Sequence, residues 1–167
     1  VVSYQFISRS IESWFDVKVE AALVAGLNLG RATLDTLSIT RGSGSSGSIA
    51  ISGVSGQNFT ISEDGTNHYV ESVDSSTPLA FSFSGQRGVK VGHIDVGSAG
   101  SASISSAANL INDGVSGSSI AAGTVSLTAG TAGSIGATGA GNGFSLEGTT
   151  ALTLSAGRNF FVASDAL

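Results

Sequence analysis

Residues 123–163 read GTVSLTAGTAGSIGATGAGNGFSLEGTTALTLSAGRNFFVA, and the spacing of the large apolar residues in this stretch decides the fold. Short triplets with an apolar residue at each end, Val125-Ser126-Leu127, Phe144-Ser145-Leu146 and Leu152-Thr153-Leu154, with Phe160-Phe161-Val162 after them, are separated by Gly, Ala, Ser and Thr. A strand sends alternate side chains to opposite faces, so each triplet buries its two ends and exposes a small polar middle. The interval from Val125 to Phe144 is close to the shortest period of known repeat architectures. A strand-sized element recurring at that interval fits a parallel β-solenoid, in which each turn of chain returns its strands to lie over the previous ones.

The same triplets step back toward the N-terminus at shorter intervals. Leu37-Ser38-Ile39, Ile49-Ala50-Ile51, Phe59-Thr60-Ile61, then Tyr69-Val70 and Phe81-Ser82-Phe83 follow one another, and residues 89–96 resume strand character after them. The expected core is therefore Leu37, Ile39, Ile49, Ile51, Phe59, Ile61, Phe81, Phe83, Val125, Leu127, Phe144, Leu146, Leu152 and Leu154. Turns of roughly twenty residues would stack about eight deep and span on the order of 40 Å at the strand spacing of a sheet.

Two segments break the rhythm. Residues 1–26 are the least repetitive, and Phe15, Val17, Val19 and Ala21 alternate with charged residues there, which argues for a strand over the competing helical pattern of Ile11, Phe15, Val19 and Leu23. Trp14 is expected to pack over the end of the stack. Residues 62–78 carry Glu63, Asp64, Glu71, Asp74 and the single proline, Pro78, and read as a protruding acidic loop. The division is thus an end segment, 1–26, and a solenoid, 27–167. The chain starts at Val1 with no charged leader or apolar signal core, as a mature or excised fragment would.

Composition narrows the function classes. Hydrophobic residues are 41% and charged residues 11%, so an apolar interior is available and the exterior must be hydroxyl and glycine rather than charge. Seven Lys and Arg are scattered, the net charge is −5, and no basic patch for nucleic acid forms. Cysteine is absent, which removes disulfides and thiol chemistry. No apolar run is long enough for a membrane helix, so membrane insertion is not expected.

Beyond the periodicity, Ile94-Asp95-Val96-Gly97-Ser98-Ala99-Gly100, Ala108-Asn109-Leu110-Ile111-Asn112-Asp113-Gly114, residues 120–130, Ser134-Ile135-Gly136 and Leu152-Thr153-Leu154-Ser155-Ala156-Gly157 resemble the repeats of the filamentous-haemagglutinin class of large bacterial exoproteins. The resemblance covers residues 88–167, and residues 27–87 in rhythm only. It implies a right-handed parallel β-helix, export through a dedicated outer-membrane partner, an extracellular or cell-surface location and a role in adhesion to a receptor or glycan of a host or neighbouring cell, or to copies of itself. It supplies no catalytic residues. Residues 1–26 lack the secretion-domain signature of the class, so an interior segment is implied.

Candidate chemistry is sparse. Glu63-Asp64-Gly65-Thr66-Asn67 offers hard oxygen atoms around a glycine turn, and with Glu71 and Asp74 makes a candidate calcium site, although the order matches neither an EF-hand nor a calcium-binding nonapeptide repeat. The simpler reading is a solvated turn. His93 and Asp95 share a strand face near Ser98 and Ser101, a weak echo of a hydrolytic triad, and His68 and His93 are expected to face solvent. Gly136-Ala137-Thr138-Gly139-Ala140-Gly141 lacks the Lys and the helix of a phosphate loop and reads as a corner. Asn58-Phe59-Thr60 fits a glycosylation sequon, which has meaning only on a eukaryotic secretory route. Three other classes remain: a fibre or phage-appendage subunit, a carbohydrate-active β-helix enzyme, and an ice-binding protein. Thr149, Thr150 and Thr153 are too irregular for the threonine ranks of the last.

Overall fold

The computed structural model describes residues 3–8, 14–20, 27–28, 33–42, 49–54, 56–139 and 143–164, with side chains described in 34–42, 56–139 and 143–164. Among these residues there is no helix, and fourteen strands join in one sheet. In chain order they are β1 (Ser3–Ser8), β2 (Trp14–Glu20), β3 (Leu27–Asn28), β4 (Thr33–Arg41), β5 (Ile49–Val54), β6 (Gln57–Glu63) and β7 (Asn67–Ser75). Then follow β8 (Ala80–Gly85), β9 (Gly88–Ser106), β10 (Leu110–Asn112), β11 (Ile120–Thr128), β12 (Phe144–Glu147), β13 (Ala151–Ser155) and β14 (Val162–Ser164).

The sheet is coiled into a β-solenoid of about four turns. Three sets of parallel pairings give it three sides, and β9 runs along all of them. On the first side the inward column is His68, Val89, Leu110 and Ile135, and Phe160, about half exposed, follows in register at its end. On the second, Val73, Ile94, Ile120 and Leu146 stack in the same way. The third is the longest: β2, β4, β8, the end of β9, β11 and β13 lie side by side, all parallel. Its two inward columns are Leu37, Phe81, Ala102, Val125 and Leu152, and Ile39, Phe83, Ile104, Leu127 and Leu154.

Alternation is what selects these strands. In β8, and in β11 on either side of the irregularity at Ala122 and Gly123, every second residue is buried, and burying one Val, Leu, Ile or Phe side chain contributes about 1.5–3 kcal/mol. Of the expected core, Leu37, Ile39, Phe59, Ile61, Phe81, Phe83, Val125, Leu127, Phe144 and Leu146 are buried. Leu152 and Leu154 pack against the core but are half-buried, because β13 lies in the last described rung. The side chains of Ile49, Ile51 and Trp14 lie outside the described residues.

Several expectations need correction. The turns are uneven and longer than the expected interval: Phe81 lies on Ala102, Ala102 on Val125 and Val125 on Leu152. There are half as many as the spacing suggests, because the triplets of residues 49–75 do not build turns. They form an antiparallel meander, β5-β6-β7, whose last strand then serves as the first rung beneath β9. Residues 62–78 are accordingly not a protruding loop. Ser62 and Glu63 end β6, Asp64-Gly65-Thr66 turn the chain, and Asn67–Ser75 is strand. The strand expected at 160–162 begins only at Val162, and Phe160 makes a single bridge to Ile135. In the end segment, β1 and β2 pair antiparallel and β2 joins the third side, so the first rung starts before residue 27.

Gln57 ties the meander to β4. Its Nε2 donates to the Leu34 carbonyl at 2.8 Å and to Ser75 Oγ at 2.8 Å, while its Oε1 accepts from the Leu34 amide at 2.8 Å. The buried amide thus pairs Leu34 as a neighbouring peptide unit would. At the corners, glycine permits close stacking: a Cβ on Gly123 would come within 2.0 Å of the Ser98 carbonyl oxygen.

Candidate functional site

The parallel register places His68 directly beneath Val89, in a column otherwise occupied by apolar side chains. It is therefore not solvent-facing as expected; its exposure is 0%. Gly85 makes the room, since a Cβ there would stand 2.7 Å from His68 Cδ2. Phe83 meets the imidazole edge-on at 6.3 Å. Across the hairpin the partner of His68 is Glu63, whose Oε2 lies 3.4 Å from His68 Nδ1, 3.3 Å from Arg87 Nη1 and 3.9 Å from the buried Arg41 Nη2. Neither ring nitrogen of His68 has a well-formed hydrogen bond. Burial pushes the imidazole below its ordinary pKa, Glu63 opposes this, and Arg41 and Arg87 reinforce it. Burial likewise lowers Arg41, against the pull of Glu63.

The remaining candidate calcium ligands go elsewhere. Asp64 accepts the Tyr69 hydroxyl at 2.7 Å and the amides of Asn67 and Thr66 at 2.7 and 2.9 Å, which hold its carboxyl well below the usual range. Glu71 accepts the Ser62 hydroxyl. Asp74 takes the Ser72 hydroxyl at 2.7 Å and lies 3.4 Å from His93 Nε2. Glu63 points inward, Asp64 closes a turn, and Glu71 and Asp74 stand on the outer face of β7. The four are not gathered, and among the described residues no three His, Asp or Glu side chains are placed to hold a metal ion.

His93 is paired with Asp74, not with Asp95, whose Oδ1 instead accepts the Gly97 amide at 3.0 Å. No triad is assembled there. His93 does line a shallow cleft of about 520 Å³ with Tyr69, Glu71, Asp113, Val115 and Ser118. Asp113 Oδ1 accepts the Val115 amide and the Ser118 hydroxyl, both at 2.9 Å, so the turn that forms one wall is fixed by its own side chains. Gly92 beneath has no side chain, and a Cβ there would stand 2.9 Å from Asp113 Oδ2. Lys90 Nζ sits 5.2 Å over the Tyr69 ring at the other wall.

The chain has no match among protein-family models, curated proteins or solved structures. What the structure itself adds is a contrast between its outer faces. On the second side, Asp74, Asp95, Ala121 and Glu147 form a mostly acidic outward column. On the third side, Ser38, Ser82, Ser103, Ser126 and Thr153 make one outward column, and Thr40, Ser84, Ser105, Thr128 and Ser155 the next. Beside them run Thr36, Ala80, Ser101, Thr124 and Ala151, so from β4 to β13 these columns carry no charge, whereas Asp16, Lys18 and Glu20 hold the same register positions on β2. Ser38 and Ser82 are hydrogen-bonded along their column. Hydroxyl ranks therefore do exist, but they are mostly serine and do not involve Thr149, which is buried on the Ala122 carbonyl. Gly136 and Gly139 have positive φ at a corner, in keeping with the corner reading, though residues 140–142 lie outside the described set. Asn58 is exposed on β6.

The inward histidine escapes a reading that assigns every polar residue outward on sight. The signal is present in spacing: Asn67-His68-Tyr69-Val70, Gly88-Val89-Lys90-Val91 and Asn109-Leu110-Ile111-Asn112 follow one another at equal intervals, and His68 holds the position of Val89 and Leu110.

Proposed function

We propose that this chain is a structural and adhesive segment of a secreted or surface-displayed repeat protein, of the filamentous-haemagglutinin kind, that holds a contact surface away from its base. The observation that carries this reading is the third side of the coil from β4 to β13: a regular, uncharged grid, mostly of Ser and Thr hydroxyls, over a continuous apolar core. A flat neutral face rich in hydrogen-bonding groups suits broad, repeated contact with a cell-surface receptor or glycan, or with another copy, and offers no recess in which a reaction would be enclosed. Export by an outer-membrane partner belongs to the same reading. The test is adhesion by the isolated chain. Beads coated with it are expected to bind bacterial or eukaryotic cells saturably, and Ser103→Asp with Ser126→Asp, which puts two charges in the middle of the grid, should reduce binding several-fold. Failure to bind any cell type would overturn the adhesive reading; undiminished binding by the double variant would move the contact to another face.

The cleft at Tyr69, Glu71, His93 and Asp113 favours a second reading, a carbohydrate-active enzyme, because carboxylates near a sugar-sized recess are the groups that cleave glycosidic bonds. Release of reducing sugar from a polysaccharide, lost in Asp113→Asn, would select it over the first.

A further inference from the structure

We infer that Arg41, Glu63, His68 and Arg87 form an acid-sensitive latch that holds the β6–β7 hairpin against the solenoid and releases it when His68 takes up a proton. The geometry carries the argument. Glu63 Oε2 is already the shared neighbour of two guanidinium groups, at 3.3 Å from Arg87 and 3.9 Å from Arg41. A proton on His68 adds a third cation to the same buried space, facing that one carboxylate at 3.4 Å. The groups around the imidazole come from every element packed on it: Glu63 from β6, Arg41 from β4, Phe83 and Gly85 from β8, Arg87 from the turn that follows, and Val89 from β9. Among these only Glu63 is an anion. The ring is 0% exposed, so no solvent reaches it to stabilise an imidazolium while the hairpin is seated.

Opening would be local. The buried ionisable side chains among the described residues are Arg41, Glu63 and His68, and β9 to β14 contribute none to the interior. His93, by contrast, is 45% exposed beside Asp74, where water can accommodate its charge. The two histidines of the chain thus provide a switch and its internal control. The outward residues that alternate with His68 and Val70 on β7 include Tyr69 and Glu71, which wall the cleft, so release of β7 also takes the cleft apart.

The direction with pH follows from burial. In the unfolded chain an imidazole titrates at about 6.5. Folded His68 is shifted below that value, so the opened state binds the extra proton. Stability of the hairpin is full above the unfolded value and is lost as pH falls from it toward the folded one.

The experiment is amide hydrogen exchange on the full chain between pH 7.5 and pH 5, corrected for the intrinsic pH dependence of exchange. Within the titration window, uptake of one proton by the open form raises its population about tenfold per pH unit, and the Ile61 and Val70 amides should gain that much while those of Val125 and Leu127 do not. In His68→Leu, which suits the apolar column, the acid-dependent gain should vanish; in His93→Gln it should persist. If His68→Leu proves too unstable to measure, the wild-type imidazole proton resonances decide: the His68 signals should change together with hairpin opening as the pH falls, and a His68 response that is independent of hairpin opening would overturn the latch. Acceleration spread evenly over β7 and β11, or a pH response unchanged in His68→Leu, would overturn the latch.

Discussion

Leu127 and Ser126 are adjacent on β11 and face opposite ways. Leu127 is buried between Ile104 and Leu154 in an inward column, and Ser126 lies between Ser103 and Thr153 on the hydroxyl grid. Leu127→Ala should therefore cost about 2–5 kcal/mol through lost burial and the cavity left behind, and Ser126→Ala should stay within about 0.5 kcal/mol of wild type. Denaturant unfolding of the two variants checks this, and equal losses would mean that β11 is covered on both faces. Gln57 supplies a different residue-scale test. Gln57→Leu adds apolar surface to a buried position, yet it strands the amide and carbonyl of Leu34, each unpaired group costing about 1–3 kcal/mol. A lower denaturation midpoint is expected, and an unchanged or higher one would show that these bonds are replaced. Alternation makes Leu37, Phe81 and Leu127 readable in the sequence, because apolar side chains have one low-energy destination. Gln57 and His68 are not readable that way. Their inward placement depends on partners, Leu34 and Glu63, that lie in other strands.

For the β6–β7 hairpin, the charges mislead a reader of the sequence. Glu63, Asp64, Glu71 and Asp74 look like a solvated loop because four carboxylates close together interrupt an apolar rhythm. The strands form regardless, since Phe59, Ile61, Val70 and Val73 keep their inward positions and Glu63 is satisfied inside by the two guanidinium groups. Since the carboxylates already have separate partners, calcium and a chelator should give superimposable thermal unfolding curves; a midpoint raised by calcium would show that the hairpin rearranges to gather them. The end of β9 and the start of β11 are hard to read for the opposite reason. Residues 97–106 have Ala102 and Ile104 as their only inward apolar side chains on the third side, and Ser-rich segments with so little apolar signal resemble linkers.

Across the whole molecule, a rung touches only the rungs above and below, so damage at one level should leave distant levels paired. The parallel coil is legible from the triplets, while the number of turns is not. Counting triplets treats every strand as a rung, and three consecutive strands here fold on one another instead.

That meander has a further consequence. Leu37 rests on Phe81 across a stretch of chain about twice as long as those that bring Phe81 to Ala102, Ala102 to Val125 and Val125 to Leu152 on the same side. Loop-closure entropy grows with the logarithm of length, at roughly 0.6 kcal/mol for each doubling, so joining β4 to β8 across the meander is barely harder than joining neighbouring rungs across an ordinary turn of the coil. The backbone of the coil is thus nearly indifferent to what its corners contain. Related chains could gain or discard entire folded modules between rungs, and change what they display, without disturbing the register that holds the stack together.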